Sequence, residues 1–245
     1  MFEWTDDAIV LGARAHGENG AVVEAFSRAH GRSAGYVHGG FSRKMQPVLQ
    51  VGNVVRATWK ARTGDQLGHF SPIELLEPHA AALMGSSGAL SALAAAVALV
   101  RAGTAERQAN TALFDAFAML VPALAEPQVA PALYVRFEIG FLAAIGYGLD
   151  LTRCALTGET EDLAFVSPKT GRAASAAAGA PYAERLLRLS PFLVDPTAPI
   201  ESGDVADAFA LAGWFLERRL FDQQGVGMPD ARRRLIETWG REGRL

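Results

Sequence analysis

The chain has 245 residues, of which 50% are apolar and 20% are charged, and its formal net charge is −3. These values predict a folded protein of one large or two to three small domains, and they exclude a disordered chain and a uniformly basic nucleic-acid coat. The longest apolar run, Ala89 to Val100, is shorter than the roughly 20 residues of a membrane span.

The compartment expected from the sequence is the cytoplasm. The opening stretch MFEWTDDAIV carries acidic residues where a secretory signal needs positive charge. The single cysteine, Cys154, cannot form an internal disulfide, which fits a reducing environment.

Residues 1–78 predict a small β-barrel. Short segments rich in β-branched and aromatic residues alternate with glycine-containing turns at roughly ten-residue spacing. The five predicted strands cover residues 8–14, 21–28, 32–39, 53–62 and 67–75. A long connection between the third and fourth strands is typical of a five-stranded Greek-key barrel of OB type, a class that binds oligonucleotides.

Positive charge is concentrated in this first part of the chain. Between Ala25 and Gly64 there is no Asp or Glu, but there are seven Lys and Arg residues. In the stretch VVRATWKAR, alternation places Arg56, Lys60 and Arg62 on one strand face and Trp59 on the other, where it is expected to fill the barrel.

Aromatic groups accompany these cations, and the combination favours nucleic acid over the alternative of a merely solvated basic face. On the third strand an arginine shares a face with a tyrosine and a histidine, and the loop that follows exposes a phenylalanine beside two cations. The predicted DNA-binding residues are Arg28, Arg32, Tyr36, His38, Phe41, Arg43, Lys44, Arg56, Lys60 and Arg62.

After Pro78 the chain has helical periodicity. Apolar stripes predict helices around residues 90–100, 113–124 and 133–145, which are expected to pack together, in a first helical part at 79–150. A second helical part, 182–245, begins with Leu186 and Leu187. Its next helix is predicted to begin after an N-cap at Ser202, and its last helix is predicted to begin at Pro229-Asp230.

The segment 151–181 interrupts this pattern. It is rich in turn residues, and Leu163, Phe165 and Val166 form its one predicted strand, so we expect a small β-rich knob. The stretch CALTG resembles a zinc knuckle whose second cysteine has become Thr157. One thiolate is too few for zinc, so no metal is expected and Cys154 is interpreted as a semi-buried structural residue.

No catalytic motif is present. The five histidines lack the spacing of a metal site, and there is no nucleophile elbow, zinc-protease motif or phosphate-binding loop. The sequence therefore predicts a protein that is not an enzyme.

Three stretches of the chain carry a family resemblance: the opening AIVLGARAHGENGAVVEAFSRAHGRSAGYVHGG, the strand LQVGNVVRATWKAR with DQLGHF after it, and the closing PDARRRLIETW. With these stretches the chain resembles the bacterial RecO family of recombination mediators. The resemblance covers essentially the whole chain, and it implies an α+β multidomain protein: an N-terminal OB-fold, a helical domain and a zinc-binding knob inserted in that domain. This chain departs from the family at the knob, because only Cys154 remains of two Cys-x-x-Cys pairs.

The resemblance also implies a function and partners. Family members bind single- and double-stranded DNA, anneal complementary strands and act with RecR and the acidic C-terminal tail of single-strand binding protein to load the RecA recombinase. Candidate partner-binding residues on the helical part are Arg101, Arg107, Arg136, Arg232 and Arg233. The alternative function is a non-enzymatic protein-interaction scaffold with a basic barrel, and a nuclease is a more distant third.

Overall fold

The computed structural model describes residues 2–63 and 66–245. The chain forms two compact units, unit 1 at residues 1–125 and unit 2 at residues 126–245. Unit 1 contains the barrel together with three helices, so the first helices after Pro78 belong to the same compact unit as the strands.

The five strands of unit 1 form the predicted closed barrel, in the order β1-β2-β3-β5-β4. All neighbours are antiparallel except β3 and β5. The strands are β1 (Phe2–His16), β2 (Gly20–Ser27), β3 (Gly31–Val37), β4 (Val54–Ala61) and β5 (Gly68–Glu77).

The barrel interior is made by the alternating apolar face that the strand patterns predicted. Trp59 is 2% exposed and fills the barrel, as expected, and its Nε1–H donates to the Ala34 carbonyl at 2.9 Å. The helices of unit 1 are α1 (His79–Leu83), α2 (Ser87–Gly103) and α3 (Thr111–Ala123). Ser86 caps α2 and Asn110 caps α3, because each side chain accepts a backbone N–H of the first turn.

Unit 2 combines helices with a three-stranded sheet of order β7-β6-β8. Its elements are α4 (Ala130–Ala144), β6 (Leu163–Val166), β7 (Ala173–Ser175), α5 (Ala176–Gly179), β8 (Leu187–Arg188), α6 (Asp204–Leu216), α7 (Asp222–Gln224) and α8 (Asp230–Arg241). A π-helical turn, Glu217–Phe221, joins α6 to α7.

The sequence prediction needs two corrections in unit 2. Leu187 lies in a strand rather than a helix, because β6 has a second edge on which Val166 pairs with Leu187. The N-cap of α6 is Gly203, at φ 91°, and not Ser202. The predicted strand at Leu163 and the predicted start of the last helix at Pro229-Asp230 are confirmed.

Aromatic rings form the centre of unit 2. Tyr134 stacks on Phe209 at 5.8 Å, and Trp239 meets both rings edge-on at 5.6 and 5.9 Å. Tyr134 and Trp239 are completely buried. No helix within the described residues is long and apolar enough to cross a membrane.

Candidate nucleic-acid interface

Three side chains stand side by side on neighbouring strands of the barrel. Tyr36 of β3 pairs in register with His69 of β5, and His69 pairs with Lys60 of β4. His69 is exposed, whereas Tyr36 and Lys60 are half-buried on the outer face. The sequence prediction included Tyr36 and Lys60 but missed His69, because the parallel pairing of β3 with β5 joins distant segments and leaves no local pattern.

The Tyr36 ring is held against β2 by a glycine. A Cβ atom on Gly20 would lie 2.1 Å from the Tyr36 hydroxyl oxygen, so any other residue there would displace the ring. His16 meets the ring edge-on, with the centroids 6.0 Å apart. Gly20 and His16 therefore fix the orientation of Tyr36.

A groove opens next to this row, between β5 and the loop of residues 38–53, because β3 and β5 pair at only two positions. Its volume is about 640 Å³. Val37 and Phe70 are among its lining residues, although their side chains are buried in the barrel core. The other lining residues are Tyr36, His38, Lys44, Met45, Val48, His69, Ser71, Pro72, Ile73, Glu74 and Leu75. Three of the predicted DNA-binding residues, Tyr36, His38 and Lys44, thus meet in one place.

Most of the predicted strand cations are neutralised by acidic residues. Arg56 pairs with Asp7 at 2.7 Å, and Lys60 pairs with Glu3 at 2.9 Å. The cause is the pairing of β4 with β1, whose acidic residues lie outside the acid-free stretch of sequence. Arg28 is likewise paired, with Asp115 of α3 at 3.0 Å.

Among the predicted DNA-binding cations, those without an ion pair lie outside the strands. Among residues 2–63 and 66–245, Arg43, Lys44 and Arg62 form no ion pair. Arg43, Lys44 and His38 are exposed, and Phe41 of the same loop is 40% exposed. Among the predicted cations, the positive charge available to a ligand is therefore in the 38–53 loop and just after β4, not along β4. The described residues also include an exposed Arg14 on β1 that forms no ion pair.

Arg32 is not on an open surface, which corrects its predicted position on a free basic face. Its side chain is 16% exposed, and its guanidinium pairs with Glu24 at 2.6 Å and donates to the Thr104 carbonyl at 3.0 Å. The segment after α2, residues 104–108, lies along β3, and the Arg107 N–H donates to the Arg32 carbonyl at 2.8 Å. We call this segment the strap.

Two of the predicted partner-binding arginines are used inside unit 1. Arg101 pairs with Glu24 at 2.6 Å. Arg107 belongs to the strap: its guanidinium lies 5.2 Å from the Trp59 ring and donates to the Gln66 carbonyl at 2.8 Å. These contacts close the barrel beside β3, because β5 reaches only the end of that strand.

The remaining predicted partner-binding arginines lie in unit 2. Arg232 is 5% exposed and forms a buried ion pair with Glu138, so its prediction as a surface contact is wrong. The sequence of the arginine run did not show that α4 and α6 would bury the side chain of Arg232, because both helices lie far from it in the chain. Arg233 is exposed and pairs with Asp230, and Arg136 donates to the Phe192 carbonyl.

The inserted knob does not provide a zinc site. Cys154 is buried, and its Sγ accepts from the Ser175 hydroxyl at 3.7 Å. No group of three His, Cys, Asp or Glu side chains in the described part of the chain is placed to hold a metal ion. One thiolate among hydroxyls is a poor donor set for zinc, so the residues present do not fit that metal.

Comparison with known proteins gives consistent matches along the chain. The family model described as "Recombination protein O N terminal" matches residues 1–79, and the one described as "Recombination protein O C terminal" matches residues 85–225. The chain is 50% identical over 235 residues to a Methylobacterium nodulans protein, covering 94% of this chain and 95% of the relative. It is 49% identical over 243 residues to a Phenylobacterium zucineum protein, covering 99% and 100%. Both relatives are named DNA repair protein RecO.

Proposed function

Because the chain belongs to the RecO family, we propose that it acts in recombinational DNA repair by binding DNA through unit 1. The observation that carries the proposal is the meeting of the unpaired Lys44 with Tyr36, His38 and His69 at one groove, with Arg43 next to Lys44 in the same loop. Cations bind phosphates and aromatic faces stack on bases, so this combination suits a polynucleotide strand.

The structure narrows which predicted residues are expected to hold DNA. Arg43, Lys44 and Arg62 have no competing carboxylate among the described residues, so they can bind phosphates directly. Arg56 and Lys60 must first leave Asp7 and Glu3. We therefore assign most of the phosphate contacts to Arg43, Lys44 and Arg62, and fewer phosphate contacts to Arg56 and Lys60 of β4.

The finer role follows the family. We propose that the protein binds single- and double-stranded DNA, anneals complementary strands and helps to load the recombinase on DNA coated with single-strand binding protein. Its proposed partners are RecR and the C-terminal tail of single-strand binding protein, in the cytoplasm. The proposed role needs no catalysis, because each step is a binding or a transfer of strands.

Binding of a fluorescent oligonucleotide, followed by anisotropy at several salt concentrations, tests the proposal. We expect affinity to fall steeply with salt, and the double variant Arg43→Gln/Lys44→Gln to bind about tenfold or more weakly. The variant Arg153→Gln/Lys169→Gln is a matched control, because it removes an exposed Arg and an exposed Lys from unit 2. Equal binding by the loop variant and this control would contradict the assignment.

A second variant tests whether β4 takes part in phosphate binding. The variant Asp7→Asn/Arg56→Gln removes a cation together with its counter-ion, so its affinity for DNA should change less than about threefold. The scaffold alternative makes a different prediction for the wild-type protein. Binding of RecR without binding of any oligonucleotide at low salt would support the scaffold function.

A further inference from the structure

We propose that the groove between β5 and the 38–53 loop receives an unpaired nucleobase, so that unit 1 distinguishes single-stranded from double-stranded DNA. This inference rests on the proposed DNA-binding function and specifies its ligand. It concerns the groove interior, whereas the loop cations act on phosphates, which both forms of DNA carry.

The size and surface of the groove suit a base. Its volume of about 640 Å³ lies within the range of about 300–1,000 Å³ typical of small-molecule sites. Val48 and Ile73, which are only half-buried, supply apolar surface that a flat aromatic base can cover. Ser71 adds an exposed residue with a hydroxyl group that can bond to a base edge.

The rim carries the groups that a nucleotide needs outside its base. Tyr36 is held in one orientation by Gly20 and His16, so its ring is preorganised for stacking. His69 stands next to it in the strand register. Lys44 is on the loop side, where it can bind the phosphate of a nucleotide whose base is inside.

The other ligand that an apolar groove with a basic rim can take is an acidic peptide with an apolar side chain. Both ligands are anionic, so the stacking surface and not the charge favours a nucleotide. Glu74 is the only carboxylate among the described residues that line the groove, beside one lysine and two histidines. The aromatic and imidazole rings add stacking surface, which a base uses fully and an aliphatic side chain does not.

Base pairing would keep a duplex out of the groove. In a duplex each base is paired and stacked inside the helix, and only an unpaired base can turn outward into a protein pocket without breaking those contacts. A duplex therefore binds through its phosphates alone, while a single strand gains the groove contact as well.

Three probes of equal length test the inference by fluorescence anisotropy: a mixed-sequence single strand, a strand of abasic tetrahydrofuran nucleotides, and a hairpin duplex. The abasic strand keeps the phosphates and lacks the bases. We expect the full-length protein to bind the normal strand at least about fivefold more tightly than the abasic strand, which is the lower end of one base stack. Equal affinity for the two strands would overturn the inference.

Variants locate the effect in the groove. Tyr36→Ala removes the stacking ring and Met45→Trp fills the groove from the loop, and each should bring the normal strand down to the affinity of the abasic strand. Tyr36→Phe is the matched control and should keep the preference. Thermal unfolding followed by circular dichroism shows that each variant is folded. A preference that survived in both folded groove variants would also overturn the inference.

The same probes separate this inference from the proposed function. Binding of the normal and abasic strands with equal, salt-sensitive affinity would leave DNA binding in place and remove the groove site. Absence of binding to all three probes at low salt would contradict both. An acidic peptide that displaced the normal strand but not the abasic strand from wild type would assign the groove to a protein ligand.

Discussion

Arg232 and Arg233 are neighbours in the chain but have opposite surroundings. Arg232 Nε lies 2.7 Å from Glu138 Oε1, its Nη2 lies 2.8 Å from Glu138 Oε2, and Nη2 also donates to the Phe209 carbonyl. Arg233 is exposed and forms a local ion pair within the same helix. The buried pair therefore joins α8 to α4, while the exposed one contributes little.

Replacing either arginine by methionine tests this difference. Arg232→Met leaves Glu138 as a buried carboxylate without its partner, and we expect a loss of about 3–5 kcal/mol in the free energy of unfolding. Arg233→Met, the matched control, should lose less than about 0.5 kcal/mol. Urea unfolding followed by circular dichroism measures both. Similar midpoints for the two variants would show that the buried pair does not stabilise the protein.

Hydrogen bonds from the Thr157 hydroxyl and the Ser175 backbone N–H lower the pKa of the Cys154 thiol to about 6, against the opposing effect of burial. In the unfolded chain a thiol has a pKa of about 8.5, so the thiolate stabilises the folded state above that pH, and this contribution is lost as the pH falls through 6. Thiolate absorbance near 240 nm should therefore rise around pH 6 in wild type and at higher pH in Thr157→Val. Titration of both proteins at the same pH would contradict the assigned cause.

At the level of elements, β3 is completed on one edge by three different partners. The strap bonds to the carbonyl of Arg32, the Trp59 indole bonds to that of Ala34, and β5 pairs from Gly35 onward. The strap also supplies Thr104 and Arg107 to the barrel. The connection between α2 and α3 therefore acts as a short extra edge of the sheet.

Gly31 permits the close approach of the strap. Its φ is 69°, and a Cβ atom there would lie 2.1 Å from the Gln108 carbonyl oxygen. Gly39 has a similar φ of 64° but open space around it. Gly39→Ala should cost about 1 kcal/mol from backbone strain, and Gly31→Ala should cost clearly more, because the strap must also move. Thermal unfolding measures both, and equal losses would show that the strap contact is unimportant.

The knob is the second element whose behaviour can be tested. The three-stranded sheet of β6, β7 and β8 and the hydrogen bonds around Cys154 hold it in the absence of a metal-binding residue set. Dialysis against a strong zinc chelator should leave the unfolding midpoint unchanged, and added zinc should not raise it. A midpoint that fell on chelation would show that metal stabilises the knob.

Across the whole molecule, the positions of the charged side chains matter more for DNA binding than the net charge does. Unit 1 contains ten Lys and Arg and ten Asp and Glu residues, so its formal charge is zero, and the chain's −3 arises in unit 2. Within unit 1 the acids neutralise much of the outer barrel surface and leave the 38–53 loop positive. DNA binding at this loop is therefore compatible with a mildly acidic protein.

The salt dependence of binding shows how many phosphates the protein neutralises. For single-stranded DNA the slope of log K against log salt becomes shallower by about 0.7 for each phosphate that is no longer neutralised. Arg43→Gln/Lys44→Gln should therefore reduce the slope by about 1.4, whereas Asp7→Asn/Arg56→Gln should leave it almost unchanged. Titrations between about 50 and 200 mM salt measure both slopes. A larger reduction in the Asp7→Asn/Arg56→Gln variant would place the phosphates on β4 instead of on the loop.

The sequence alone determined the five strands, the buried face with Trp59, the last helix and the β-rich insert, because each depends on residue periodicity and turn residues within a short window. The pairings between distant segments were decided only in the tertiary structure. They placed Asp7 beside Arg56, put His69 next to Tyr36, laid the strap along β3 and buried Arg232 against Glu138. Periodicity fixes which side chains share a strand or helix face, but not which strand or helix that face will meet, and that second choice decides which cations remain free to bind DNA.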